Sequence, residues 1–182
     1  MTRQISSLVV MGVAGCGKSS VARAVAEQVG GVLIEGDAFH PQANVDKMAR
    51  GIPLTDEDRA GWLDRLSVEL EHVASRGERA VLACSALKER YRDRLRAATA
   101  SLGFVFLDLP QAEALRRVAQ REDHFMPASL VESQFAALEP PVAEPLTLTV
   151  DGTRTLTSIV TDAVAWCTSA SPNAQPGFMQ TA

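Results

Sequence analysis

The sequence predicts an α/β fold in which a five-stranded parallel sheet carries helices on both faces. Three observations lead to this prediction. Five short apolar segments alternate with segments whose apolar residues recur every three or four positions, as on one face of a helix. The short segments are apolar throughout, which is typical of strands buried on both sides. A chain of 182 residues is also long enough to bury a core of its own.

The first predicted strand leads into a glycine-rich loop. The apolar run 8–11 precedes the loop, and apolar residues at helical spacing follow it from Ser19 to Val29. The loop matches the pattern G-x-x-x-x-G-K-[ST], in which main-chain N–H groups at a helix N-terminus surround a phosphate. Lys18 then reaches the outer phosphates, and the Ser19 hydroxyl ligates Mg²⁺. The chain is therefore expected to bind a nucleoside triphosphate. The residues expected to hold it are Gly12, Val13, Ala14, Gly15, Cys16, Gly17, Lys18 and Ser19.

The remaining elements follow in order along the chain. Further strands are predicted at residues 32–34, 80–84, 104–107 and 146–150. Helices are predicted at residues 55–76, through Leu87 to Leu95, after Pro110, at 129–138, and after Gly152 as far as Cys167. Thr55, with Asp58 three residues later, has the pattern of a helix N-cap, and Gly77 that of a helix end.

The chain is expected to form one domain followed by a tail. Residues 1–167 contain all the predicted elements, whereas residues 168–182 are polar and aperiodic and are expected to be disordered. The net charge of −4 gives no field that would attract nucleic acid or anionic lipid. No apolar run is long enough to span a membrane. A predicted core strand directly follows residues 1–4, so no signal peptide is expected.

Cysteine usage indicates a reducing compartment. Cys16, Cys84 and Cys167 are odd in number, far apart in sequence and without C-x-x-C spacing. This pattern argues against a disulfide framework or a zinc site, so a cytoplasmic location is expected.

The predicted topology brings several loops together. In an open parallel sheet, ligands bind outside the carboxyl ends of the strands. Four segments follow predicted strands directly, namely residues 12–19, 36–40, 85–88 and 108–110. They are expected to meet at one edge of the sheet.

The use of lysine favours the same edge. The chain has fifteen arginines and only three lysines, at positions 18, 47 and 88. Lysine is a compact, flexible point charge, whereas arginine is a rigid planar fork, so each remaining lysine suggests a specific role. Lys18 belongs to the glycine-rich loop and Lys88 follows the third strand. For Lys47, a functional role and an accident of sampling remain open.

Further blocks of sequence are more specific than the loop. Residues 36–48 read G-D-A-F-H-P-Q-A-N-V-D-K-M, and residues 51–59 read G-I-P-L-T-D-E-D-R. Residues 84–96 read C-S-A-L-K-E-R-Y-R-D-R-L-R, and H-F-M-P at 124–127 is followed by S-Q-F-A-A-L-E at 133–139. In this order, over about residues 8–166, they resemble the signatures of the gluconokinase family of small P-loop sugar-acid kinases.

Two positions depart from the family pattern. Gly61 stands where the family has proline before a tryptophan, and Asp123 stands where it has glycine before a histidine. The second departure lies in the expected lid.

The resemblance implies a fold and an activity. The fold would be the P-loop NTPase fold with a small mobile lid, at about residues 117–127 of this chain. The activity would be ATP- and Mg²⁺-dependent phosphorylation of D-gluconate at its 6-hydroxyl, giving 6-phospho-D-gluconate. The family is commonly homodimeric, so a homodimer is expected.

Several residues at the predicted edge suit this chemistry. Asp37 can orient the attacking hydroxyl and accept its proton, although an Asx turn or a magnesium contact is an alternative role. Ser85, Lys88 and Arg92 are candidates for binding the carboxylate and hydroxyls of a sugar acid. Arg92 could instead be a solvent-facing helix residue, in the manner expected of Arg90, Arg94 and Arg96.

Two further candidates have more than one interpretation. His40 could bind the substrate or act as a structural hydrogen-bonding residue. Arg121 is expected to close over the ATP phosphates as an in-chain arginine finger, with Arg117 as the second candidate.

Other functions remain open at this stage. A shikimate, nucleoside monophosphate or adenylylsulfate kinase would share the loop and differ in its acceptor residues. A P-loop ATPase or GTPase switch would require an aspartate after an apolar strand, which Asp108 offers, but no N-K-x-D motif for guanine is present. A nucleotide-binding regulatory module is disfavoured by the polar signatures at each strand end.

Overall fold

The computed structural model describes residues 5–120 and 127–169 and confirms the α/β prediction. Five strands form one parallel sheet in the order β2-β3-β1-β4-β5. The strands are β1 Ser7–Met11, β2 Val32–Glu35, β3 Ala80–Ala83, β4 Leu102–Asp108 and β5 Thr147–Asp151. The helices are α1 Lys18–Val29, α2 Gln42–Ala49, α3 Asp56–Ser75, α4 Glu89–Ala98, α5 Gln111–Ala119, α6 Ala128–Ala137 and α7 Leu156–Thr168.

The central strand is β1, which carries the glycine-rich loop at its carboxyl end. Its residue Val9 pairs with Leu82 of β3 on one side and with Phe104 of β4 on the other. Because all five strands are parallel, the loops that follow β1, β2, β3 and β4 emerge at the same edge.

The sheet separates two hydrophobic clusters. On one face, alternate strand residues such as Leu8 and Val10 pack with α1 and α7. On the other face, Val9 and Met11 pack with α3 and α4. Strands buried on both faces read as continuous apolar runs, which explains why the sequence shows no polar alternation in β1, β3 or β4.

Most predicted elements are present, with small shifts at their ends. Thr55 and Asp58 form a reciprocal capping box at the start of α3, as predicted. The predicted helix through Leu87 begins only at Glu89, because Ala86 has a left-handed φ of +44°. The fifth strand begins at Thr147, one residue later than predicted, because Leu146 has a φ of +51°.

Two short elements between β2 and α3 were not predicted. A 3₁₀ turn spans Gly36–Phe39, and α2 follows it. Eight residues give α2 only two turns, and its one buried residue is the polar Asn44, so its sequence lacks an apolar periodicity. The predicted lid falls mainly on residues 121–126, and the predicted tail mainly on 170–182, which lie outside the described residues. Within the described ranges, no helix has the length and apolar character needed to cross a membrane.

Candidate active site

The glycine-rich loop joins β1 to α1 at the centre of the sheet edge. Gly12 and Gly15 have φ values of +144° and +81°. A Cβ atom on Gly12 would lie 2.8 Å from the Cys16 sulfur and 2.9 Å from the Leu107 carbonyl oxygen, so only glycine fits there. The loop therefore has the tight backbone that brings N–H groups close to an anion, with the N-terminus of α1 immediately behind it.

The two polar side chains at the end of the loop differ in their contacts. The Lys18 ammonium donates a hydrogen bond to the Val13 carbonyl oxygen at 2.9 Å, so it lies over the loop itself. The Ser19 hydroxyl donates to the Glu35 carboxylate at 2.9 Å. Glu35 is the last residue of β2, and Ser19 and Glu35 together offer the hard oxygen donors that Mg²⁺ prefers. The described residues contain no cluster of three or more His, Cys, Asp or Glu side chains able to hold a metal.

The turn that carries Asp37 packs tightly on the end of β3. A Cβ atom on Gly36 would lie 2.4 Å from the Ala83 carbonyl oxygen. The indole N–H of Trp62 donates to the Gly36 carbonyl oxygen at 2.7 Å. These contacts fix the turn at the carboxyl edge of the sheet and leave the Asp37 side chain exposed.

His40 makes contacts of a structural kind. Its ring stacks on Trp62 with 4.2 Å between ring centroids, and Nδ1 lies 3.3 Å from the Asn44 side-chain nitrogen. Burial lowers the pKa of His40, with Asp37 opposing and Arg59 reinforcing the shift.

The thiol of Cys84, the residue directly after β3, is fully buried. Burial raises its pKa to about 12. The charge of Asp37 adds to this increase, and the charges of Lys18 and Arg59 oppose it.

Arg59 is a candidate site residue that the sequence analysis did not identify. It lies in the first turns of α3, where Nη1 donates to the Leu54 carbonyl oxygen at 2.6 Å. Its guanidinium carbon is 5.8 Å from the centre of the Tyr91 ring. The available signal was the block 51–59, which ends on this arginine.

The loop after β3 adjoins the phosphate loop. The Gly12 N–H donates to the Ser85 carbonyl oxygen at 3.3 Å. The Lys88 ammonium is 2.9 Å from the Asp56 carboxylate, which also accepts from Tyr91 and Arg90. The hydrogen bond from Tyr91, followed by that from Lys88, holds the pKa of Asp56 well below its usual range. Lys88 is thus oriented by a fixed carboxylate at the start of α3.

Arg92 does not face solvent, and its contacts argue against direct substrate binding. Its side chain is 0% exposed. The guanidinium donates to the Glu144 carboxylate, to the Ala86 carbonyl oxygen and to the Glu139 carbonyl oxygen. Arg96 is also largely buried, because it pairs with Glu144 and lies 4.7 Å from the centre of the Phe104 ring. The expectation of a solvent-facing residue is wrong for both, while Arg90 and Arg94 are exposed.

The remaining lysine has a structural partner. The Lys47 ammonium donates to both oxygens of the Asp58 carboxylate, at 2.7 and 2.8 Å. Asp58 also accepts from the Thr55 N–H, so Lys47 joins α2 to the start of α3.

The helix after the expected lid, α6, and the residues just after it contact the phosphate loop and the segment that follows β3. The Gln134 side-chain oxygen accepts a hydrogen bond from the Ala14 N–H at 2.7 Å. Just past the C-terminal end of α6, the Glu139 N–H donates to the Leu87 carbonyl oxygen, and the Glu139 carboxylate accepts from the Glu89 N–H. Of the two candidate arginine fingers, Arg117 pairs with Glu113 at 2.7 Å, and Arg121 lies outside the described residues.

Comparisons with known proteins agree with this geometry. A family model described as an AAA domain matches residues 8–141. The chain is 48% identical over 145 residues to a gluconokinase of Gluconobacter oxydans, covering 80% of this chain and 82% of that protein. It is 43% identical over 138 residues to the thermosensitive gluconokinase of Escherichia coli, covering 76% and 74% of the two chains.

Solved structures give the same result. The crystal structure of a gluconokinase from Sinorhizobium meliloti superimposes with a TM-score of 0.82 at 47% identity, covering 91% of this chain and 93% of that one. An APS kinase from Mycobacterium tuberculosis shares the fold at 22% identity, with a TM-score of 0.68 and coverage of 93% and 100%. With these identities over most of both chains, the protein belongs to the gluconokinase family.

Proposed function

We propose that this protein transfers the terminal phosphate of ATP to the 6-hydroxyl of D-gluconate, giving 6-phospho-D-gluconate. The observation that carries the proposal is the meeting of the phosphate loop with the turn of Asp37 and the loop of Lys88 at one edge of the sheet. The identities of 43% and 48% to two gluconokinases support gluconate as the acceptor.

The nucleotide is held by the loop of residues 12–19. Phosphoryl transfer depends on positioning and on neutralisation of the charge on the transferred group. In the proposal, the loop N–H groups and Lys18 bind the phosphates, and Lys18 leaves the Val13 carbonyl oxygen to do so. Ser19 and Glu35 would hold Mg²⁺, which supplies further charge neutralisation when bound.

The acceptor hydroxyl is oriented by Asp37. This carboxylate is exposed at the end of β2, on a turn fixed by the Trp62 indole. In the proposed role it accepts a hydrogen bond from the 6-hydroxyl and takes the proton as the new P–O bond forms. A role as an Asx-turn residue or magnesium contact is the alternative that mutation can test.

The substrate carboxylate requires cationic donors. Lys88 and Arg59 are the proposed donors, because both lie beside Tyr91 at the start of α3 and α4. Ser85 and His40 are proposed to bind substrate hydroxyls.

Three further expectations remain part of the proposal. Arg121 is the proposed arginine finger, the protein is proposed to be a homodimer, and its proposed location is the cytoplasm.

A turnover assay tests the function. The purified protein with Mg-ATP is assayed for ADP release with D-gluconate, shikimate, AMP, adenylylsulfate and glucose in separate reactions. Gluconate is expected to give by far the highest kcat/KM. Equal or better turnover of another acceptor would reject the proposal, and ADP release independent of every acceptor would indicate an ATPase. Sedimentation of the same sample tests the homodimer.

A further inference from the structure

Ala86 has an unusual backbone for a non-glycine residue. Its φ is +44°, in the left-handed region, and the residue is fully buried between Ser85 and Leu87 in the loop that also carries Lys88. An L-residue other than glycine is disfavoured in this conformation, because Cβ approaches the neighbouring carbonyl oxygen. The surrounding structure must therefore hold this conformation in place.

Arg92 supplies contacts that hold it. Nη1 donates to the Ala86 carbonyl oxygen at 2.8 Å, and Nη2 donates to the Glu139 carbonyl oxygen at 2.9 Å. Glu139 in turn donates its N–H to the Leu87 carbonyl oxygen at 2.8 Å. The carbonyl oxygens of Ala86 and Leu87 thus both accept hydrogen bonds. The planar guanidinium of Arg92 joins the segment of Ala86 to the segment of Glu139.

Glu144 is the counter-ion of this arrangement. Its carboxylate is 2.9 and 3.0 Å from Nε of Arg92, and the Glu144 side chain is only 11% exposed. A buried guanidinium without a partner would be strongly unfavourable, so Glu144 keeps Arg92 in place. Arg96 pairs with the same carboxylate.

We propose that Arg92 is a positioning residue, which with Glu144 as counter-ion holds Ala86 in the left-handed conformation and so fixes the loop from which Ser85 and Lys88 reach the acceptor. The inference rests on the proposed function for the identity of the acceptor. It assigns no contact between Arg92 and the substrate, because its side chain has no exposed surface.

Substitutions at three positions test the proposal. Arg92→Lys keeps the charge and loses the fork, and Glu144→Gln keeps the shape and loses the charge. Each is expected to raise the KM for gluconate about 10-fold while the KM for ATP changes less than about 2-fold, as expected for the loss of a charge-assisted hydrogen bond. Ala86→Gly removes the backbone penalty and is expected to behave like the wild type on its own. Combined with either substitution, it is expected to restore the KM for gluconate by several-fold.

Arg96→Lys is the matched control. Arg96 pairs with Glu144 from the same helix, whereas the contact to the Ala86 carbonyl oxygen comes from Arg92. The Arg96→Lys variant is expected to keep the KM for gluconate within about 2-fold of the wild type, even where its melting temperature falls. The reason is that Arg92 keeps its own ion pair with Glu144 in this variant. An increase equal to that of Arg92→Lys would overturn the proposal. A failure of Ala86→Gly to improve either background would overturn it as well.

A second readout separates this inference from the proposed function. Hydrogen exchange of residues 84–91 needs no acceptor and is expected to be faster in Arg92→Lys than in the wild type, with a smaller change in the α1 segment. If the wild type does not phosphorylate gluconate, the proposed function fails, and exchange still tests the positioning role. Unchanged exchange in this segment would reject the positioning role whatever the acceptor.

Discussion

Gln134 of α6 accepts a hydrogen bond from the main-chain N–H of Ala14, with 2.7 Å between the two heavy atoms. Ala14 is the third residue of the phosphate loop, and the two residues are 120 positions apart. The helix that follows residues 121–126 is therefore joined directly to the loop that binds the nucleotide. A neutral hydrogen bond of this kind contributes about 1 kcal/mol.

Gln134→Met is expected to weaken ATP binding. Methionine has similar length and no strong acceptor, so the Ala14 N–H would lose its partner and the loop would be less ordered. We expect the KM for ATP to rise about 5-fold, in line with ~1 kcal/mol, and the KM for gluconate to change less. Steady-state kinetics measure both values, with Glu132→Gln on an exposed position of the same helix as the control. A lower KM for ATP would mean that Gln134 competes with the nucleotide.

Lys18→Met is expected to abolish useful turnover while leaving the fold intact. The substitution removes a positioned cation from the developing charge on the phosphate and keeps most of the side-chain length. We expect kcat to fall at least ~100-fold. Circular dichroism of the variant checks that the fold is retained. A folded variant with near-normal kcat would contradict the assigned role.

Asp37→Asn tests the proton acceptor. Asparagine keeps the size and hydrogen-bonding capacity of the side chain and removes its basicity. We expect kcat to fall by ~100-fold or more at saturating Mg²⁺. A change confined to the magnesium concentration needed for half-maximal activity would instead assign Asp37 to the metal site.

His40 is expected to make stability depend on pH. Burial lowers its pKa in the folded protein below the ordinary value of 6.5, so the folded chain releases this proton more readily than the unfolded chain. The stabilisation is therefore complete above pH 6.5 and is lost as the pH falls through the folded pKa. Urea unfolding at pH 7.5 and pH 5.5 should show a smaller loss of stability in His40→Gln than in the wild type, and an equal loss would disprove the assignment.

Gly61→Ala is expected to stabilise the protein. Gly61 is exposed to solvent and lies away from both ends of α3, and a Cβ atom there would meet no heavy atom within 4 Å. Alanine in a helix interior is favoured over glycine by about 0.5–1 kcal/mol, which corresponds to a rise in melting temperature of about 1–4 °C. Gly77→Ala is the contrasting variant, because its φ of +72° should make alanine destabilising. A calorimetric scan should show a higher melting temperature than the wild type for Gly61→Ala and a lower one for Gly77→Ala.

The sheet could be predicted from the sequence because each strand is recognisable from a short local pattern. An apolar run in β1 and a glycine-rich loop after it need no information from the rest of the chain. The carboxyl-edge rule then placed the loop of Lys88 beside the phosphate loop, as the contact between Gly12 and Ser85 confirms. The rule also placed the turn of Asp37 at this edge, in agreement with the hydrogen bond from Ser19 to Glu35, the last residue before that turn.

The functions of individual arginines could not be predicted in this way. Arg92 and Arg94 are two residues apart on α4, yet one is fully buried and the other exposed. The difference depends on Glu144, about 50 residues further along the chain, whose carboxylate makes burial of Arg92 possible. A pattern of charges along one helix contains no information about such a distant partner.

The scarcity of lysine has a practical consequence for handling the protein. Apart from the amino terminus, amine-directed reagents can react only at positions 18, 47 and 88. Dye labelling, amine coupling to a surface or reductive methylation would therefore modify the phosphate loop, the α2–α3 junction or the loop after β3. Immobilisation for binding measurements is better done through a terminal tag, and protection of individual amines by ATP or gluconate offers a footprint of each substrate by mass spectrometry.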